Sequence, residues 1–213
     1  MAADAIIDEL LATGRAMHDE GLVLGTSGNV SVRTDTSILI SPSSIPYEEI
    51  TAEDICHVAE DGSQQGGRGR PSSETPMHRA IYRVTGARAI VHTHSPVAVS
   101  VSSVVDVLPA IHYAIAQFGG HDVRVADYER FGSDELARTV EHTIEGRHGV
   151  ILRNHGTVTC GDTLQEALHR ARLLEWLAKV YRDARLMGDP TIISDEDLDQ
   201  VIAEAQRRRY AGA

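Results

Sequence analysis

The residues best able to do chemistry in this chain are its eleven histidines. Three of them are spaced to work together. His92 and His94 stand two apart in Ala89-Ile90-Val91-His92-Thr93-His94. The apolar, β-branched lead-in predicts a short strand, on which side chains two apart leave the same face about 7 Å from each other. Both can grip one ion. His155 follows the apolar run Val150-Ile151-Leu152 and precedes Gly156, which lets backbone approach closely. Three neutral imidazoles with an open fourth position are the pattern of a catalytic zinc ion acting as a Lewis acid, whereas structural sites usually fill all four positions. A lone His-x-His is more often a pair of packed histidines, and the third histidine in matching context reverses that preference.

Glu74 follows Pro71-Ser72-Ser73 at the start of a helix. An acid there complements the positive end of the helix dipole, and spacing does not separate that role from a chemical one. If the helix start faces the ion, the carboxylate is a removable fourth ligand and then a general base. Ser72 and Ser73, together with Gly28, Asn29, Ser43 and Ser44, would cradle a phosphate without any lysine, although each is also an ordinary turn or cap residue. The Gly25-Thr26-Ser27-Gly28-Asn29 turn is not a Walker loop, because no Gly-Lys-Ser/Thr follows. Nor is it a nucleophile elbow, since Asn29 occupies the final glycine position.

These residues need elements to hold them. Ile6, Ile7, Leu10, Leu11 and Met17 fall near one helical face, with Gly21 as the stop. The glycine-rich turn then lies between short strands, among them 30–33 and 37–41. Residues 61–70 read as an exposed, mobile connection with solvated arginines. Ser73 is expected to cap a helix with Glu74 and Pro76 in its first turn and Gly86 at its end. Ser95-Pro96 opens another helix, and Ser133 caps one running to Glu145. A strand over 150–152 leads to His155, and from 162 or 163 a long helix runs to about 185, its Trp176 assigned to packing. Residues 195–199 form an acidic helix start and lack the spacing of a calcium loop. The alternation of strands and helices indicates one layered α/β domain spanning residues 1–213.

Twenty bases against 31 acids leave a net charge of −11, which disfavours nucleic acid or an anionic membrane as partner. Cys56 and Cys160 are far apart and outside any paired motif, so a disulfide framework is not expected. The N-terminal segment carries Asp4, Asp8 and Glu9 rather than a cationic leader, and no apolar run approaches a membrane span. A cytoplasmic protein is expected.

Gly28-Asn29, Pro71-Ser72-Ser73-Glu74, His92-Thr93-His94 and Asn154-His155-Gly156, in this order, resemble the class II aldolase/adducin family. The resemblance extends over nearly the whole chain, through Ile45-Pro46-Tyr47-Glu48, Ile111-His112-Tyr113, Phe131-Gly132 and the tail with Tyr210. It implies an α/β/α fold around a central mixed, mainly antiparallel sheet. It further implies one zinc ion per subunit on His92, His94 and His155, with Glu74 both touching the metal and moving the proton. Phosphate would sit at Gly28, Asn29, Ser43, Ser44, Ser72 and Ser73, and Tyr113 from a neighbouring subunit would protonate the aldehyde oxygen. Phe131 and Tyr210 are placed to shape the aldehyde side of the pocket. Ser44 departs from the glycine of the fuculose-phosphate pattern, and Asn154 from its histidine.

The activity so implied is reversible cleavage of a ketose 1-phosphate, L-fuculose 1-phosphate first, to dihydroxyacetone phosphate and a short aldehyde such as L-lactaldehyde. It would run through a metal-stabilised enediolate in a homotetramer with interfacial sites. Rival activities on the same scaffold are a 5-deoxypentulose or methylthioribulose phosphate aldolase, a dehydratase, and a pentulose-phosphate 4-epimerase. From a different class, a metal-free adducin-like interaction module would have lost the ligands that His92, His94, His155 and Glu74 retain here.

Overall fold

A computed structural model describes residues 3–211, with side chains over 4–207. Helix α1 (Ala3–Asp19) leads through the glycine-rich turn into β1 (Asn29–Arg33) and β2 (Ile38–Ile40). Next come β3 (Cys56–Val58), β4 (Gln64–Gly66), α2 (Thr75–Thr85), β5 (Ala89–Thr93) and α3 (Pro96–Ser102). The short strands β6 (Val107–Leu108) and β7 (Val123–Ala126) flank a 3-10 turn at 113–118. They are followed by α4 (Asp134–Ile144), β8 (Gly149–Leu152), β9 (Gly156–Gly161), α5 (Leu164–Met187) and α6 (Asp195–Ala211).

The strands form one sheet in the order β4-β3-β2-β1-β5-β9-β8-β7-β6. Neighbours are antiparallel except β7 and β8, which run parallel. This is the mixed, mainly antiparallel sheet that was expected, and it is covered on both faces. Alternation along β5 sends Ile90 into a core with Met77, Ile81, Leu136 and Val140 of α2 and α4. Ala89 and Val91 go the other way, against Leu10 and Met17 of α1 and Leu164, Ala167 and Ala171 of α5. His92, in step with Ile90, therefore faces the α2 side. A third cluster joins α3 and α5 through Ala98, Val101, Leu174 and Leu177.

Several local expectations change. The glycine-rich turn joins α1 to β1 rather than two strands, because 22–24 form no ladder. Residues 61–70 contain β4 and are tied down: the Gln64 amide donates to the carbonyls of Gly66, Gly67 and Gly69, and Arg68 pairs with Glu53 and Asp54. Ser73 does not cap α2. Glu74 takes the cap position, and Ser72 Oγ accepts the Glu74 N–H while the Ser72 carbonyl accepts that of Thr75. Trp176 is 44% exposed and lies edge-on to His112 rather than in the core.

Strands β3, β4, β6, β7 and β9 carry too few residues, or too little alternation, to stand out by pattern. Ser133 caps α4 with its side chain, as the sequence indicates, and of the two possible starts of α5 it is Thr163 whose side chain caps the helix. Ser95 precedes α3 without capping it, its hydroxyl engaged with Thr93. The Glu175 carboxylate of α5 instead accepts the N–H groups of Val97 and Ala98. Cys56 and Cys160 are free and buried, and among the described residues no helix is long and apolar enough to cross a membrane.

Candidate metal centre

Three elements bring the chemical residues to one point on the α2 face of the sheet. Strand β5 supplies His92 from within its ladder. His94 lies one residue past the strand, its N–H donated to the Leu22 carbonyl. His155 sits in the tight turn joining β8 to β9, where Asn154 takes the left-handed conformation at φ 54° and donates its N–H to Ser102 Oγ. Helix α2 supplies Glu74 from its cap.

Glu74, His92, His94 and His155 each offer one ligand atom, and these atoms all lie within 4.8 Å of one another. His92 Nε2 is 2.9 Å from Glu74 Oε2, His155 Nε2 is 3.3 Å from Glu74 Oε1, and the Nε2 atoms of His92 and His94 are 3.2 Å apart. Ring centroids are 4.9 to 5.0 Å apart and the planes are steeply inclined, so the three rings converge by their edges.

The three imidazoles are not driven alike: burial works against a charge on His92, yet Glu74 and the Thr157 carbonyl hold it above its ordinary value. Burial and the neighbouring imidazoles push His94 down to about 3 and His155 down to about 4, so both offer lone pairs at neutral pH. Burial works against the Glu74 carboxylate, yet His92, His155 and the Asn29 amide hold it well below its ordinary value. The His92 Nδ1 is 2.8 Å from the Thr157 carbonyl, which accepts its proton and turns Nε2 toward the cluster. Glu74 Oε1 is buried without a hydrogen-bond partner. A buried carboxylate oxygen with no hydrogen bond, facing an imidazole nitrogen at 3.3 Å, is a coordination position by its chemistry, and the four residues fit a divalent cation.

A cavity of about 150 Å³ opens beside the cluster, lined among others by Gly28, Ser43, Ser72, Ser73 and Phe131. No lysine or arginine is among its described lining residues, so hydroxyls and amides would have to receive an anion. Thr26 and Ser27 belong to it as well, and the glycine-rich turn was the signal for them. Asn29 also borders the cavity, and its side-chain amide is engaged in donating to Glu74 Oε2 at 3.0 Å. Ser44 lies outside the lining and holds φ 64°, a left-handed backbone that glycine adopts freely. Gly28 is required on two counts, with φ 73° and an added Cβ that would come within 2.7 Å of the His92 carbonyl.

Tyr113 is not near this cluster in the same chain. It is exposed and borders a separate cavity of about 650 Å³ between the 3-10 turn and α6. Phe131 stands at the mouth of the metal-side cavity, 66% exposed. Tyr210 lies outside the residues whose side chains are described. Sequence reasoning missed His78, fully buried and bonded to Asn29 and Ser31. Its place one helical turn after Glu74 was the available signal.

Gly156 limits the hairpin that presents His155. A Cβ there would sit 2.1 Å from the Thr93 carbonyl and 3.2 Å from His92 Cε1. Gly156→Ala is expected to cost about 1–3 kcal/mol of stability, read as a lower denaturant midpoint, and to weaken metal binding in the same protein. An unchanged midpoint would show that the hairpin can shift without strain.

An α/β/α sheet domain presenting a carboxylate and three converging imidazoles beside a hydroxyl-lined cavity is the architecture of a metal-assisted enzyme acting on small polar molecules. The chain belongs to the class II aldolase and adducin family: the family model for the class II aldolase and adducin N-terminal domain matches residues 8–182. It is 36% identical over 204 residues to an L-fuculose phosphate aldolase of Escherichia coli, covering 95% of this chain and 94% of that one. It is equally 36% identical, over 197 residues, to a 5-deoxy-D-ribulose 1-phosphate aldolase of Bacillus thuringiensis serovar kurstaki, covering 91% and 92%. A solved L-fuculose 1-phosphate aldolase superposes with a TM-score of 0.92 at 34% identity, covering 97% of this chain and 98% of that one. The fold is that of a class II aldolase.

Proposed function

We propose that this class II aldolase reversibly cleaves a ketose 1-phosphate to dihydroxyacetone phosphate and a short aldehyde, with one zinc ion per subunit. The observation that carries the reading is the convergence of Glu74, His92, His94 and His155 beside a cavity with hydroxyl and amide walls. Zinc is the cation favoured by three imidazoles and one carboxylate at four-coordinate spacing. When bound it supplies Lewis-acid polarisation of the substrate carbonyl.

The remaining work belongs to the chain. Ser43, Ser72 and Ser73 with the backbone at Gly28 and Asn29 receive the phosphate near the start of α2 and so fix which end of the ketose meets the cluster. Ser44 shapes that turn. Glu74 moves the proton at the carbon that becomes part of dihydroxyacetone phosphate, using the oxygen not held by Asn29. Tyr113 from a neighbouring subunit moves the proton on the aldehyde oxygen. Its exposure and its distance from the cavity within one chain support a homotetramer with sites between subunits. Phe131 and Tyr210 bound the aldehyde side. The whole chain, 1–213, acts as one domain in the cytoplasm.

L-Fuculose 1-phosphate, yielding L-lactaldehyde, is the leading substrate. 5-Deoxyribulose 1-phosphate is the second, on the strength of the equal identity to the Bacillus relative. Product analysis on a panel holding both compounds, methylthioribulose 1-phosphate and a pentulose 5-phosphate tests the reading. Dihydroxyacetone phosphate is expected from at least one ketose 1-phosphate. An epimer or a dehydrated ketone as the sole product would replace cleavage with a rival reaction.

A further inference from the structure

Behind Glu74 a chain of buried polar groups crosses an otherwise apolar face of the sheet. Asn29 Nδ2 reaches Glu74 Oε2 at 3.0 Å, and Asn29 Oδ1 lies 2.5 Å from His78 Nε2. His78 Nδ1 lies 2.6 Å from Ser31 Oγ, which lies 2.7 Å from the Tyr82 hydroxyl. All these side chains are buried, and they come from β1 and α2. The strand register makes this possible: Asn29 and Ser31 alternate onto the α2 face, with Asn29 opposite His92.

The Asn29 amide sets the direction of the chain. Its Nδ2 donates to Glu74 Oε2, which leaves its carbonyl facing His78. That carbonyl only accepts, so the proton of the imidazole sits on Nε2. Burial pushes His78 down to about 3, so the ring is neutral and its Nδ1 is a lone pair. Ser31 must then donate to Nδ1, and Tyr82 to Ser31. Four donors in series point at Glu74 Oε2, which also lies 2.9 Å from His92 Nε2, while Oε1, 3.3 Å from His155 Nε2, has no hydrogen-bond partner.

We propose that His78 is a positioning residue for Glu74: its Nε2–H locks the Asn29 amide, which pins Oε2 and leaves Oε1 as the oxygen that meets the metal and the substrate proton. This rests on the reading of Glu74 as ligand and base. A buried polar relay of this length adds nothing that apolar packing would not do more simply unless its direction matters.

Paired variants at His78 test this. His78→Gln places an amide N–H where Nε2 stands, and His78→Asn ends its amide where Nδ1 stands, too short to reach the Asn29 carbonyl. The two differ little in polarity, and both leave unfilled space. Turnover and the zinc affinity of the apo protein, the latter by chelator competition, are compared with wild type and Glu74→Gln. His78→Gln is expected within about 3-fold of wild type in turnover, and His78→Asn about 10- to 100-fold below it, with zinc affinity weakened about 10- to 100-fold in His78→Asn alone.

Equal values for the two variants, high or low, or the reverse order, would overturn the proposal. Wild-type turnover in Glu74→Gln would instead overturn the reading beneath it. Ser31→Ala gives a measurement that leaves His78 intact: it removes the donor to Nδ1 and with it one of the two bonds that hold the ring in place, and turnover is expected to fall about 3- to 10-fold. No fall would likewise overturn the proposal.

Discussion

Glu74→Gln is expected to lower turnover by about 10²- to 10⁴-fold while the protein still binds the metal ion proposed for this site. The substitution preserves shape and removes the charge and basicity. Three imidazoles remain to hold the ion, and a glutamine oxygen can still face it. The lost function is proton movement, because an amide cannot accept a proton from carbon at neutral pH. The measurement is steady-state kinetics alongside metal content per chain. Turnover equal to wild type would remove Glu74 from the chemistry and leave it as a cap residue of α2. Loss of zinc together with turnover would make it chiefly a ligand.

Stripping the metal with a chelator should abolish cleavage, by about 10³-fold or more, with recovery on adding zinc. The fold is expected to survive the treatment, since the four residues are held by ladder pairing, by the turn at Asn154 and by the relay behind Glu74. Circular dichroism should therefore change little while activity disappears. Purified protein carrying less than about half a metal ion per chain, not restored by added zinc, would point to the metal-free interaction module.

The three histidines of the candidate set were legible because each is tied to a local signal: His92 and His94 are placed by a β-branched run, and His155 sits between an apolar strand and a glycine. The spacing of Glu74 left its role open, and only the family resemblance joined it to them. The layered architecture followed from helix and strand alternation, α4 from its Ser133 cap, and α5 from apolar residues recurring at three and four. What stayed hidden depends on pairing across long sequence separations. Strands as short as β6, with two residues, owe their existence to neighbours rather than to their own pattern. Ser73 looked like a cap because serine favours that position, yet Ser72 closes the turn one residue earlier. Asn29 looked like a ligand for an anion, and its amide turned out to be committed to Glu74. His78 carried the right spacing from Glu74, but a lone histidine on a buried helical face reads as packing until its partners are seen.

The hold of Glu175 on the first turn of α3 reaches further than helix capping. His94, Ser95 and Pro96 are consecutive, so helix α5 grips the polypeptide only three residues beyond a candidate ligand. A lesion at this remote position would slacken the ring's anchorage without touching the pocket. In a genetic screen scored by growth it would be grouped with alleles of the reaction centre, and its map position would give no hint why.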